Sequence, residues 1–249
     1  MAQHLPERYP PVQKISDERR IAAVKEIFST ITGRYDFLNH LLSFRRDVAW
    51  RNFATRKMKF PQTQRFLDVA CGTGDLSLAA ARRHPQITVT GLDFVPQMVR
   101  AARHKAQAKK LAGRVSFLQG DALRLPFNDH TFDVAAIAFG IRNIPDRTRA
   151  LREMARVVVR GGQVMVLEMS FQQKPLFGPV YRIYLNYVLP LQAKLISKNP
   201  AAYYYLTDSI KNFPSPGEFV NIMEQAGITH IETYPLTLGI TWLYVGIAG

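Results

Sequence analysis

From residue 64 onward, short β-rich runs alternate with stretches of helical spacing, and this alternation restricts the fold more than any other feature of the chain. Arg65 to Ala70, Ile87 to Leu92, Val115 to Leu118, Phe132 to Phe139 and Gln163 to Met169 read as five strands. Leu76 to Arg83, Pro96 to Lys110 and Pro145 to Val158 read as intervening helices. Pro96 stands in a first turn, and Gly161-Gly162 is placed to end the third of these helices. Strands and helices in this order imply a parallel sheet covered on both faces. After the fifth strand the pattern breaks. Residues 171–212 are rich in leucine and aromatics, including Tyr181, Tyr184, Tyr187, Tyr203, Tyr204 and Tyr205, and are expected to form a helical insertion. A helix (Pro216 to Ala226) and two further β-rich runs follow, Thr229 to Leu236 and Ile240 to Ile247. Only Thr237, Leu238 and Gly239 separate these runs, and so short a link predicts an antiparallel hairpin, because a parallel pair needs a long crossover.

Upstream, residues 1–20 are Pro-rich and charged and read as a loose arm. Residues 21–56 carry apolar residues at helical spacing, from Ile21, Val24 and Phe28 to Leu41, Leu42 and Val48. The expected division is an arm with helices over 1–60 and a sheet domain over 61–249. No apolar stretch follows the N-terminus as a secretory signal requires, and no run reaches the ~18 residues that cross a bilayer. A cytoplasmic protein is expected, free to touch the inner membrane face from one side.

The segment from Phe66 to Asp75 joins a strand to a helix through a glycine loop. Gly72 and Gly74 allow a sharp turn and close approach of a ligand, and the helix start that follows offers free N–H groups. Asp93 ends the next strand 21 residues after Gly72, a spacing that suits a carboxylate on ribose hydroxyls. A tight structural turn with a solvated Asp is the plain alternative. A dinucleotide site would place a third glycine at position 77, where this chain has Ser77. Asp75 would repel a pyrophosphate but accept from an ammonium, and Asp121-Ala122 after strand three could accept from an adenine amino group. These features favour S-adenosylmethionine over a dinucleotide.

Here the chain resembles the class I S-adenosylmethionine-dependent methyltransferases, and within them the ubiquinone/menaquinone biosynthesis C-methyltransferase family. The resemblance runs from about residue 25 to 246. It is carried by Gly33-Arg34-Tyr35-Asp36-Phe37-Leu38-Asn39, Asp68-Val69-Ala70-Cys71-Gly72-Thr73-Gly74-Asp75-Leu76, Phe139-Gly140-Ile141-Arg142-Asn143, Arg160-Gly161-Gly162 before Val166-Leu167-Glu168, and Tyr205-Leu206 with Ser209-Ile210. The glycine loop is shared by many methyltransferases; the Tyr-Asp-x-x-Asn and Phe-Gly-x-Arg-Asn segments are far more specific. The chain departs from the pattern at Cys71, where many members have Gly, at Asp121, where many have Asn, and at Ala138, where some have Ser.

The resemblance implies an α/β, Rossmann-like fold with a seven-stranded, mostly parallel sheet and an antiparallel last strand. It implies methyl transfer to a ring carbon of a polyprenyl quinol, demethylmenaquinol first and a ubiquinone precursor (a polyprenyl methoxybenzoquinol) as the alternative. Thr73, Asp93, Asp121 and Ala122 fall where the family binds S-adenosylmethionine, and Asp68, Gly72, Gly74 and Asp75 complete the expected cofactor set. A carbon nucleophile needs charge pushed onto the ring from a hydroxyl whose pKa is near ~10. Arg142 is therefore expected to stabilise the quinolate oxygen, with Asn143 orienting the ring and Asp36 or His40 relaying the proton. Arg142 could instead pair with Asp146, and His40 could be an ordinary helical histidine. Tyr35, Phe139, Tyr181 and Tyr205 are expected at the substrate, although an aromatic stripe is as readily plain core.

The formal net charge is +14, and the excess lies in residues 1–120, with 21 basic and 9 acidic side chains. Nucleic acid or an anionic membrane could each explain it. No Asn/Asp-Pro-Pro-aromatic motif follows strand four, and the single cysteine, Cys71, lies in the glycine loop rather than where a base-carbon methyltransferase places its nucleophile. One cysteine also excludes a disulfide framework and any multi-Cys metal site. A membrane partner is thus expected rather than nucleic acid, through a basic surface around Arg45, Arg46, Arg51, Arg56, Lys57 and Lys59. The sequence leaves the oligomeric state open, a homodimer included.

Overall fold

Five apolar strands, four of them buried along most of their length, are satisfied in the middle of a layered α/β structure. The computed structural model, described for residues 16–32, 35–170 and 201–249, has that form. Three helices come first, α1 (Asp17–Ile31), α2 (Tyr35–Leu42) and α3 (Arg46–Lys57). Then β1 (Arg65–Val69), α4 (Asp75–Arg83), β2 (Thr88–Asp93), α5 (Pro96–Ala108), β3 (Val115–Gln119), β4 (Phe132–Ala138), α6 (Arg147–Val157) and β5 (Val158–Met169) alternate as expected. The chain closes with α7 (Ala201–Lys211), α8 (Pro216–Gln225), β6 (Ile228–Leu236) and β7 (Thr241–Ala248). α7 falls in the expected helical insertion; residues 171–200 of that insertion and most of the expected arm lie outside the described residues. α1 starts at Asp17, ahead of the apolar spacing, because the Ser16 hydroxyl caps it by accepting from the Arg19 N–H.

The seven strands form one sheet in the order β3-β2-β1-β4-β5-β7-β6. β1 to β5 are mutually parallel, while β7 runs antiparallel to both β5 and β6. The three-residue link does make the predicted hairpin. The period of two along β1 sends Phe66 to one core and Leu67 and Val69 to the other. The first core packs under α3, α4 and α5 through Trp50, Leu78 and Val99; the second packs under α6 and α8 through Leu151, Met154, Phe219 and Met223. At the N-terminal edge the buried Asp133 carboxylate of β4 accepts from the backbone N–H groups of Gln62, Thr63 and Gln64 at 2.6–2.9 Å, which fixes the entry into β1.

Gly161-Gly162 does something other than end a helix. α6 stops at Val157, and the β-branched run Val157-Val158-Val159 passes directly into β5. The pairing then jumps from Phe132↔Val158 to Val134↔Gln163, so the two glycines lie in a bulge. Gly162 is required there: a Cβ would meet the Asp133 carbonyl oxygen at 2.6 Å.

Candidate active site

The strand order reverses between β1 and β4, and ligands in open α/β sheets bind outside the carboxyl ends of strands at such a point. A cleft opens there. Its walls include Gly72, Asp121, Ala122 and Leu123 from the loops after β1 and β3, with Leu92 and Asp93 from the end of β2, Phe94 from the loop that follows and Met98 from the start of α5. Phe139, Gly140 and Asn143 enter from the loop after β4, and Ile21, Val24, Phe28 and Tyr35 from α1 and α2. Two loops meet closely at its floor: a Cβ on Gly140 would stand 2.9 Å from the Ala70 Cβ. Ala70 and Phe139, one in each loop, hold φ values of 51° and 58°. A side-chain-bearing residue reaches that left-handed region at a cost, and such strain gathers at functional sites.

The glycine loop is built as its sequence required. Gly74 has φ 84°, and a Cβ on it would come within 2.7 Å of the Phe117 ring. The Asp93 carboxylate, nearly buried, accepts from the Gly72 N–H and the Val95 N–H at 2.8 Å each, so it ties the ends of β1 and β2 together at the cleft. Burial pushes the Asp93 carboxyl up, against the pull of those two donors. Asp121 faces the same cleft, with one carboxylate oxygen accepting from the Leu123 N–H at 2.9 Å.

Asp68 stands elsewhere. It is 1% exposed, away from the cleft walls, and one of its oxygens accepts from both the N–H and the hydroxyl of Ser77. It thereby clamps the first turn of α4 to β1, and Ser77 earns its place as Asp68's partner rather than as a missing glycine. Burial raises the Asp68 carboxyl from 3.8 to about 7. Between these values the folded protein holds a proton that the unfolded chain has released, so this group's contribution to stability is full below about pH 4 and is lost as pH rises through 7. Asp68→Asn should therefore gain stability relative to the native chain between pH 5 and pH 8, by on the order of a few kcal/mol. Urea unfolding at both pH values checks this; two parallel curves would show that Asp68 does not titrate in that window.

Thr73 and Asp75 belong to a polar cluster behind the glycine loop, and its centre is a residue the sequence reading did not single out. The Lys105 ammonium, from α5, reaches Asp36 of α2, the Thr73 hydroxyl at 3.0 Å and Asp75 at 2.8 Å. Thr73 also donates to Asp36. Burial would raise the Asp75 carboxyl, but Arg51 and Lys105 outweigh it and hold it below the usual range. The sole sequence signal for Lys105 is helical phase: it lies nine residues after Pro96, on the α5 face that also carries Val99 and Ala102 into the core. His40 is engaged next door, its Nδ1 2.8 Å from Asp47, which also receives Arg51 at 2.6 Å and Ser43 at 2.7 Å. Burial would likewise raise Asp47, but Arg51 and the Ser43 hydroxyl keep it low. Asp36 and His40 are thus brought near the site without lining the cleft.

Arg142 is buried in the short 3₁₀ turn Ile141–Asn143. Its partner is Glu168 at the end of β5, which is fully buried, and not Asp146, which caps α6 by accepting from the Arg149 N–H. Glu168 also accepts from the backbone N–H of Arg142 and of Met169. Arg142 therefore stands behind the cleft wall, while its neighbour Asn143 is in it. Among the described residues the Asn143 Oδ1 is buried with no hydrogen-bond partner. Burial raises the Tyr35 hydroxyl above its ordinary value, while the nearby charges of Arg51 and Arg142 and a hydrogen bond with Asn39 pull against that. Tyr205 is buried in α7, outside the cleft walls, and Tyr181 lies outside the described residues. Cys71 is buried, its thiol pushed up by burial and by the charges of Asp68 and Asp93, so it is unsuited to be a nucleophile.

This arrangement has relatives. The chain is 42% identical over 240 residues to the demethylmenaquinone methyltransferase of Deinococcus radiodurans, covering 96% of this chain and 98% of that one. It is 45% identical over 220 residues to the demethylmenaquinone methyltransferase of Thermus thermophilus, covering 88% and 99%. Among solved structures, a SAM-dependent methyltransferase from Thermotoga maritima, described as a possible histamine N-methyltransferase, superimposes with a TM-score of 0.61 at 20% identity, over 90% of this chain and 99% of that one. At that identity it speaks for the fold alone. With the ubiE/COQ5 methyltransferase family the match runs from residue 12 to residue 248, and the chain belongs to that family.

Proposed function

We propose that this enzyme transfers a methyl group from S-adenosylmethionine to a ring carbon of a polyprenyl quinol, demethylmenaquinol above all. The observation that carries the reading is the meeting, in one cleft at the switch point, of Gly72, Asp93, Asp121 and Ala122 with Tyr35, Phe139 and Asn143. The cleft suits the cofactor. Leu92, Phe94, Met98 and Leu123 offer apolar walls to a purine, Asp121 has a second carboxylate oxygen for its amino group, and Asp93 lies where ribose hydroxyls would seek an acceptor. Asp75 and Thr73 are the proposed neighbours of the cofactor's amino-acid end, and Gly74 keeps the loop backbone close to it. When bound, the cofactor supplies a methyl group already activated on a sulfonium.

The protein then has to orient the ring and favour its anion; positioning alone is worth roughly 7–11 kcal/mol. Tyr35, kept protonated by burial, is a donor for the quinolate oxygen, and Asn143 holds the ring through its side-chain amide. Arg142 and Arg51 contribute positive potential from behind the wall, Arg142 also fixing the turn that presents Asn143. Asp36 or His40, on the same helix as Tyr35 but outside the cleft walls, is proposed to relay the ring hydroxyl's proton. Phe139 flanks the ring, and Tyr181 and Tyr205 are assigned to the prenyl tail. Among the described residues no helix is long and apolar enough to cross a membrane; a prenylated substrate therefore calls for peripheral attachment to an anionic membrane.

The reading is tested by incubating the enzyme with radiolabelled cofactor and, separately, reduced demethylmenaquinone, a polyprenyl methoxybenzoquinol and RNA. Label is expected in the lipid fraction, most in demethylmenaquinol. Label in RNA alone would overturn it.

A further inference from the structure

Four large apolar side chains stand exposed among the described residues: Phe37 (60%), Phe44 (70%), Phe94 (39%) and Leu238 (62%). They come from four separate places in the chain, yet all lie at the carboxyl edge of the sheet, the edge onto which the cleft opens. Phe94 follows the last residue of β2 and lines the cleft itself. Phe37 adjoins Asp36, which is held against the glycine loop by Thr73 and Lys105. Phe44 occupies the turn between α2 and α3, just ahead of the Asp47 cluster. Leu238 tips the β6–β7 turn, which the Trp50 indole N–H grips at the Thr237 hydroxyl at 2.8 Å.

Two of the four are held out by backbone that such residues seldom adopt. Phe44 and Arg45 have φ values of 50° and 59°, and Thr237 and Leu238 have 46° and 59°. Folding alone would favour Gly or Asn at these positions and a polar residue at the tip. An exposed leucine on a strained turn is unfavourable in water for two independent reasons, which points to a surface that receives it, and Phe44 lies at the same edge.

The charges around them complement an anionic surface. Arg45 and Arg46 are exposed beside Phe44, and the Lys25 ammonium, also exposed, stands 5.6 Å from the Phe94 ring centre. This sharpens the basic surface expected from the sequence. Arg51 is buried against Asp47, and Lys57 covers the Tyr234 ring at 4.1 Å. Arg56 and Lys59 lie at the far end of α3, toward the opposite edge of the sheet, where the Lys59 N–H meets Gln163.

We propose that Phe37, Phe44, Phe94 and Leu238 form an apolar rim that enters an anionic bilayer, with Arg45 and Arg46 on the lipid phosphates, so that the cleft mouth is pressed onto the membrane. Its purpose rests on the quinol reading, but its test does not.

The test is flotation of the full chain with vesicles free of quinone, made of phosphatidylcholine alone or of phosphatidylcholine with phosphatidylglycerol. Binding is expected to the phosphatidylglycerol vesicles and to weaken with added salt. Arg45→Gln and Arg46→Gln should each lower the partition coefficient about fivefold. Phe44→Ser and Leu238→Ser should each lower it about tenfold or more, with thermal melts confirming that the variants fold. Absence of native binding to either vesicle, or rim variants that bind like the native chain, would overturn the proposal. So would loss of binding in an Arg56→Gln/Lys59→Gln variant with the rim variants unaffected, which would put the membrane at the other edge. Methyl transfer to a short-tailed, water-soluble quinol, measured in Phe44→Ser, keeps the two readings apart: it should match the native enzyme, and its absence from both proteins would strike the quinol reading instead.

Discussion

Arg142→Ala is expected to lower the melting temperature by on the order of 10 °C and turnover by about 100-fold, while leaving cofactor affinity nearly unchanged. The stability loss follows from Glu168, which has no exposure to solvent and would lose the guanidinium that pairs with it. Breaking a buried pair by removing one member costs about 3–5 kcal/mol, and each kcal/mol moves the midpoint by about 2–4 °C in a chain of this size. The loss of turnover follows from the slackened Ile141–Asn143 turn and the missing positive potential near Tyr35. Cofactor affinity should hold because Gly72, Asp93, Asp121 and Ala122 stand on other loops. Replacing both members, Arg142→Met with Glu168→Leu, should recover most of the stability but not the turnover. Thermal melts, calorimetry with the cofactor and steady-state rates on the three proteins separate these effects; a large fall in cofactor affinity for Arg142→Ala would put Arg142 in the cofactor site.

Asp93→Ala is expected to weaken cofactor binding by about 100-fold or more. The carboxylate is asked to do two things at once: receive the Gly72 and Val95 N–H groups at 2.8 Å and meet the ligand in the cleft. Hydrogen bonds to a charged group are worth about 1.5–3 kcal/mol each, so losing the ligand contact together with the loop's anchor is enough for two decades in affinity. The effect on folding should be smaller. Burial disfavours the ionised Asp93, and its removal relieves part of that cost while two backbone donors lose their acceptor. Asp93→Asn, which keeps the shape but presents an amide N–H2 to one of the two donors, should fall between. Isothermal calorimetry gives the comparison, and native-like affinity in the alanine variant would remove Asp93 from the cofactor site.

The sheet was legible because a parallel strand buried on both faces has few other ways to look. The glycine loop and the carboxylate after β2 could be found because both answer to local rules, backbone freedom at Gly72 and Gly74 and a fixed spacing to Asp93. Gly161-Gly162 misled because glycine ends helices and opens bulges by the same freedom; which of the two applies depends on Asp133 of a neighbouring strand. Lys105 and Glu168 are harder cases. Each acts by where the fold carries it, one ammonium joining α2, the glycine loop and α4, one carboxylate under a turn 26 residues earlier in sequence. Arg142 could be marked as important from its motif, but its burial behind the wall could not be known until β5 was laid beside β4.

The cleft is not made by the sheet domain alone. Ile21, Val24, Phe28 and Tyr35 come from helices that precede β1, and Lys105 tethers one of them to the glycine loop. A division at residue 60 therefore runs through the cleft and not beside it. A chain truncated there would keep Gly72, Asp93, Phe139 and Asn143 but lose the wall that Phe28 and Tyr35 form, so whatever the cleft holds would face open solvent on that side.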